Sequence, residues 1–126
     1  MSPELETMLC NRYPDLLPAM VRIRFQELSI WGFECGDGWF DMIDCLLATI
    51  SVRHQINPDC EPVIIDEVKE KYGTLSIMYR GGDSFIEGAI NLAITLSPRI
   101  CEVCGDKAPY RTMTFRNPRC IAHEKA

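Results

Sequence analysis

The stretch from residue 32 to residue 55, GFECGDGWFDMIDCLLATISVRHQ, carries the strongest periodic signal in the chain. Gly36-Asp37-Gly38 reads as a turn, with Asp37 placed to cap the helix after it. Beyond the turn, Trp39, Phe40, Ile43, Leu46, Leu47 and Ile50 recur at helical spacing and make one wide apolar stripe, while Asp41 and Asp44 fall on the other side. The spacing predicts a helix over about 38–55, buried at the centre of the core.

Downstream the period changes. Val63-Ile64-Ile65 and then Leu75, Ile77 and Tyr79 suggest two strands, with KEKYG (69–73) as a short turn between them. In GGDSFIEGAINLAITLSP (81–98), Ser84 and Glu87 fit a capping box. Phe85, Ile86, Ala89, Ile90, Ala93 and Ile94 form an apolar helical face, and Pro98 stops it. Upstream, Ser2-Pro3-Glu4 begins a short helix with Leu5, Met8 and Leu9 on its apolar face, ended before Pro14. Residues 19–31 fit either period: Val21, Ile23 and Phe25 alternate like a strand, whereas Val21, Phe25 and Leu28 fit a helix, the reading adopted. The expected fold is α+β: a small helical body with a β-hairpin over 1–98, and a C-terminal zinc knuckle or ribbon over 99–126, packed as one domain.

The composition is that of a soluble globular chain: 126 residues, 47% hydrophobic and 25% charged. No apolar run approaches a membrane span, and acids stand where a signal peptide carries basic residues, so the expected setting is the cytoplasm, the host's if the protein is phage-encoded. The net charge of −5 is uneven. Residues 98–126 hold six basic and three acidic side chains, +3, which leaves −8 on the rest. An acidic body with a mildly basic end excludes a general nucleic-acid binder but allows a local contact. Seven cysteines, an odd number without an export signal, favour reduced thiols over a disulfide framework.

The chemistry concentrates in CEVCGDKAPYRTMTFRNPRCIAHEKA (101–126). Cys101 and Cys104 form a C-x2-C pair, fifteen residues intervene, and Cys120 and His123 form a second pair. Two close pairs of soft ligands with a returning loop between them suit a tetrahedral Cys3His zinc site. The competing reading is of ordinary thiols with a terminal histidine. A thioredoxin-like motif would sit between a strand and a helix, and the zinc-deaminase pattern needs His-x-Glu, which His54-Gln55-Ile56 does not supply. Four protein ligands close a site, so Zn2+ is expected to be structural and the protein not an enzyme. Glu102 and Glu124 read as solvated surface acids.

Lys107, Arg111, Arg116 and Arg119 surround Tyr110 and Phe115 between the ligand pairs. Arginines reach phosphates and aromatics stack on bases, so these six residues are candidate contacts for a nucleic acid or another partner. No recognition helix is legible there, and the −8 body opposes a phosphate backbone. Cys10, Cys35, Cys45 and Cys60 have no neighbour at metal spacing. Cys45 reads as a core residue, His54 as a favourable charge at a helix end, and Asp37, Asp41 and Asp44 as helix-start acids. No Ser/His/Asp order, P-loop or dinucleotide fingerprint is present.

GFECGDGWFDMIDCL, VKEKYGTLSIMY, FIEGAINLAITLS and the CEVCG…RC..H ligands together resemble, in the same order, a group of small proteins from bacteriophages, prophages and bacteria. The resemblance runs from about Tyr13 to His123. It rests on Gly38-Trp39-Phe40, on the V-K-E-K-aromatic-G-x-L run from Val68 to Leu75, and on the zinc-type ligands. It implies a fold, a metal and a phage or prophage setting, but no mechanism. The first 30 residues and APYRTMTFRNP (108–118) match least, and a partner-specific surface is expected there. By analogy with small acidic phage proteins, the expectation is a protein-binding accessory or inhibitor of a host protein, with a possible anti-defence role. A nucleic-acid-binding regulator is the alternative. No membrane partner is expected.

Overall fold

Ser2 starts the first helix as the sequence suggests. Its Oγ accepts the Leu5 N–H at 3.4 Å, Pro3 fills the first position, and α1 runs over Pro3–Arg12. The computed structural model describes residues 1–25, 32–109 and 117–124. Leu9 and Cys10 of α1 are buried, whereas Met8, assigned to its apolar face, is 39% exposed. The ambiguous segment is helical as far as it is described: α2 spans Pro18–Phe25, and residues 26–31 lie outside the described residues.

The central stripe becomes a 3-10 turn, Asp37–Trp39, continuous with α3, Phe40–Ile56. Trp39, Ile43, Leu46, Leu47 and Ile50 are buried, as their spacing requires. Asp37 does not cap this helix. Its Oδ1 accepts the Ser2 N–H at 2.7 Å, so it joins the two helix starts instead.

The sheet has three strands in the order β1-β2-β3: β1 over Phe33–Glu34, β2 over Ile64–Lys71 and β3 over Thr74–Arg80. β2 and β3 form the expected antiparallel hairpin, but Lys69, Glu70 and Lys71 extend the strand rather than turn. The turn is Tyr72-Gly73 alone, with φ of 54° and 84°, the doubly left-handed geometry that matches strand twist. The register shifts between Ile65 and Glu67, a bulge at Asp66. Without it, Ile65 and Val68, three residues apart, would face opposite sides; with it both are buried. β1 lies parallel to β2, pairing Phe33 with Val68. Two residues are too short to leave a periodic signal, and sequence reasoning missed this strand.

The last helix, α4, covers Ser84–Leu96 and packs on α3 and β3. Asp83, not Ser84, is its cap: Asp83 Oδ1 accepts the Ile86 N–H at 3.0 Å, while Oδ2 receives Arg53 Nε at 2.8 Å and Asn57 Nδ2 at 3.2 Å. One carboxylate therefore joins the end of α3 to the start of α4. The Ile86 N–H, outweighing some desolvation and assisted by Arg53 and Asn57, lowers its pKa to about 2. Ile86, Ile90 and Ala93 are buried, but Phe85 is half exposed. Ser97, fully buried, comes directly after the helix. Its Oγ accepts the Leu75 N–H at 2.8 Å and donates to the Ile94 carbonyl at 2.7 Å, joining α4 to β3.

One side-chain expectation changes. Cys45 is exposed on α3 rather than in the core. His54, read as a helix-end residue, also has a partner outside its helix: its Nε2 accepts the Val63 N–H at 3.2 Å. No helix among the described residues is long and apolar enough to cross a membrane.

Candidate metal centre

Cys101 lies just past a 3-10 turn, Ser97–Arg99, in which Pro98 stops α4. The chain then reverses tightly. Gly105 N–H bonds to the Cys101 carbonyl at 2.9 Å, Cys101 N–H to the Asp106 carbonyl at 2.7 Å, and Ala108 N–H to the Arg99 carbonyl at 2.8 Å. Ile100 and Lys107 pair as an antiparallel bridge, so the first ligand pair sits at the tip of a miniature ribbon. Gly105 adopts φ of 83°, as its position after the pair suggests. The second pair lies on a 3-10 turn, Ile121–His123, closed by His123 N–H to the Cys120 carbonyl at 3.0 Å.

These two turns bring the sequence-predicted ligands together. The ligand atoms of Cys101, Cys104, Cys120 and His123 all lie within 4.8 Å of one another. Cys104 Sγ is 3.7 Å from Cys120 Sγ, and His123 Nδ1 is 3.2 Å from Cys120 Sγ and 3.8 Å from Cys101 Sγ. Around a tetrahedral zinc, bond lengths of about 2.3 Å to sulfur and 2.0 Å to nitrogen put sulfurs about 3.8 Å apart and sulfur and nitrogen about 3.5 Å apart. The four residues are thus spaced to hold such an ion. A disulfide would need sulfurs about 2.05 Å apart, and every cysteine is free.

The backbone around Cys101 favours negative sulfur. Burial by itself would push the Cys101 thiol up, but N–H groups of Cys120, Cys104 and Val103 outweigh it and hold the thiol below its usual range. For Cys104 the Asp106 N–H acts downward, yet desolvation and the Cys120 and Cys101 sulfurs prevail and push it up. Three sulfurs this close resist sharing negative charge, and a divalent cation between them removes the conflict.

The centre is joined to the body by a residue that sequence reasoning assigned to solvent. Glu102 is only 7% exposed. Its Oε1 accepts the Gly36 N–H at 2.9 Å, and its Oε2 accepts Asn117 Nδ2 at 2.8 Å and Arg119 at 3.3 Å. Its backbone takes part as well: Gly38 N–H donates to the Glu102 carbonyl at 2.8 Å, and Glu102 N–H donates to Pro118 at 2.9 Å. Trp39 Nε1 adds a bond to the Ile100 carbonyl at 3.0 Å. Gly36-Asp37-Gly38 is therefore more than a turn. A Cβ on Gly36 would lie 2.1 Å from the Glu102 carbonyl oxygen, and one on Gly38 would lie 2.1 Å from that of Cys101. Only bare backbone lets the two segments approach this closely. The sequence signal for the dock is the G-x-G spacing beside a tryptophan, but it names no partner 66 residues away.

Of the six candidate partner contacts, Tyr110, Arg111, Phe115 and Arg116 lie outside the described residues. Lys107 is exposed. Arg119 is not a free cation, since its guanidinium pairs with buried Glu102. Val103 is 38% exposed and Ile121 84% exposed, one between the ligands of each pair. Elsewhere, Cys35 is buried, and desolvation pushes its thiol up to about 12 despite the nearby N-terminal amine, so it remains protonated at neutral pH. Arg12 and the Tyr13 hydroxyl both bind Asp44, at 3.0 and 2.7 Å, which gives that acid a structural partner. No protein-family model, curated protein or solved structure matches the chain.

Proposed function

We propose that this protein is a zinc-stabilised protein-binding accessory or inhibitor of phage or prophage type that acts on a host protein. The Cys101/Cys104/Cys120/His123 group takes one Zn2+, because three thiolates and an imidazole at tetrahedral spacing suit that ion above harder ones. Four protein ligands leave no coordination position for a substrate, so the ion's role is to hold the ribbon.

The observation that carries the binding role is the exposure of Val103 and Ile121 among the described residues of the ribbon. Arg119 is engaged by Glu102, while Val103 and Ile121 face solvent. Exposed branched aliphatics, one in each ligand turn, support recognition of an apolar patch on a protein. The phage setting and host target rest on the sequence resemblance alone.

The test is capture of host proteins by the zinc-loaded chain and by its Ile121→Asp variant. The expected result is a specific host protein retained by the first and lost by the second, with metal content unchanged. Binding to DNA or RNA that weakens steeply with salt and survives Ile121→Asp would transfer the role to the nucleic-acid reading.

A further inference from the structure

The three cysteines of the candidate metal centre are not equivalent. Cys101 is fully buried and Cys120 is 6% exposed, whereas Cys104 is exposed. Their hydrogen bonds differ as well. Backbone N–H groups of Cys120, Cys104 and Val103 are directed at the Cys101 sulfur, and that of Asp106 at the Cys104 sulfur. Each such bond draws electron density from a thiolate and makes it a weaker nucleophile. Cys104 therefore combines access to solvent with a lighter hold on its sulfur. Cys45, the other exposed cysteine, stands on α3 outside the ligand cluster.

We infer that Cys104 is an oxidation site for peroxides, that Cys120 resolves it as a disulfide, and that the centre gives up its metal as the bridge forms. This chemistry depends on zinc occupancy as proposed above, because coordination keeps neighbouring sulfurs as thiolates at neutral pH.

The steps balance as follows for hydrogen peroxide. The Cys104 thiolate attacks one peroxide oxygen, the O–O bond breaks, a hydroxide leaves and Cys104 becomes a sulfenic acid. The Cys120 thiolate, with its Sγ 3.7 Å from that of Cys104, then attacks the oxidised sulfur. An S–S bond forms, the S–O bond breaks and a second hydroxide leaves. The two sulfurs together lose two electrons and the peroxide gains them. To reach disulfide length the sulfurs close by about 1.7 Å. Both residues lie outside regular helix and strand, Cys104 in the reversal before Gly105 and Cys120 just ahead of the Ile121–His123 turn. Cys101 is the poorer resolving thiol, since full burial and three N–H bonds hold it in place.

After the bridge forms, Cys101 and His123 are left, and two ligands do not make a structural zinc site. Val103 and Ile121 lie one in each ligand turn, so oxidation reshapes the same surface proposed for recognition.

The test treats the zinc-loaded full chain with hydrogen peroxide, blocks the remaining thiols, maps the cysteines by peptide mass spectrometry and measures the zinc retained after desalting. The expected result is a Cys104–Cys120 bridge with about one zinc lost per bridge, both reversed by a dithiol reductant and added zinc. Cys45→Ala should give the same map. A bridge between Cys101 and Cys104 overturns the inference. So does Cys104 left unreacted, Cys104 carried to sulfinic acid with Cys120 free, or a bridged chain that keeps its zinc. A reduced chain that takes up no zinc fails the zinc reading instead, and its peptide map still decides which thiols pair.

Discussion

The body and the ribbon are held by different physics. From Leu9 to Ala93 the body buries a continuous apolar cluster centred on Trp39, Ile43, Leu47 and Ile50. Past residue 100 the buried side chains among the described residues are Cys101, Glu102, Ala108, Pro118 and Cys120, which make no hydrophobic core. The ribbon instead brings together four residues spaced to hold a metal and one buried carboxylate, and two glycines of the body admit its backbone. A segment too small to bury its own apolar surface can still be fixed if its polar contacts are each answered.

The contrast breaks most completely at the metal. Cys120→Ser, or a strong chelator, is expected to remove about one zinc per chain and unfold the ribbon while α3 and α4 persist. Structural zinc supplies about 10–16 kcal/mol of apparent binding energy in isolated fingers. Metal analysis together with the Trp39 indole N–H resonance, which reports its bond to Ile100, would track both events. Global unfolding on chelation would show instead that the ribbon supports the body.

Next in size is the dock. Glu102→Ala leaves the Arg119 charge and the Gly36 N–H without their buried acceptor, and is expected to cost about 3 kcal/mol in denaturant unfolding. Gly38→Ala should displace the ribbon with zinc still bound, because the added methyl meets backbone oxygen rather than a movable side chain. Zinc loss from either variant would mean that the ligand turns need the body in order to form.

A smaller effect concerns the body alone. The pKa of Asp83 is lowered in the fold, to about 2, so the contribution of this carboxylate is present above its unfolded value near 4 and is lost as pH falls from there through about 2. Asp83→Asn should flatten that part of the stability profile, and acid titration of both forms would measure it. Smallest is the hairpin turn. Tyr72 holds φ of 54°, where Asn is favoured, so Tyr72→Asn should raise stability by about 0.5–1 kcal/mol in thermal unfolding.

Legibility tracks the range of the interaction. The helix at 40–56 and the ligand set are readable because each is a pattern within a short window: apolar spacing in one case, two C-x2-type pairs in the other. The α4 cap falls one residue before the expected Ser84, since Ser84 and Asp83 both suit a cap and only Arg53 and Asn57, from the end of α3, favour Asp83. Cys45 reads as core from the sequence because a stripe shows where a helix is apolar, not where its neighbour ends.

Backbone period and ligand chemistry are local properties, and for that reason the α+β class, the hairpin and the four residues eligible to hold a metal can be read from the chain alone. It took the folded molecule to make Glu102 a buried link rather than a surface acid, Arg119 its counterion, and Gly36 and Gly38 docking positions. Those roles depend on chain segments some 66 residues apart coming within hydrogen-bond distance, and no local pattern encodes that distance.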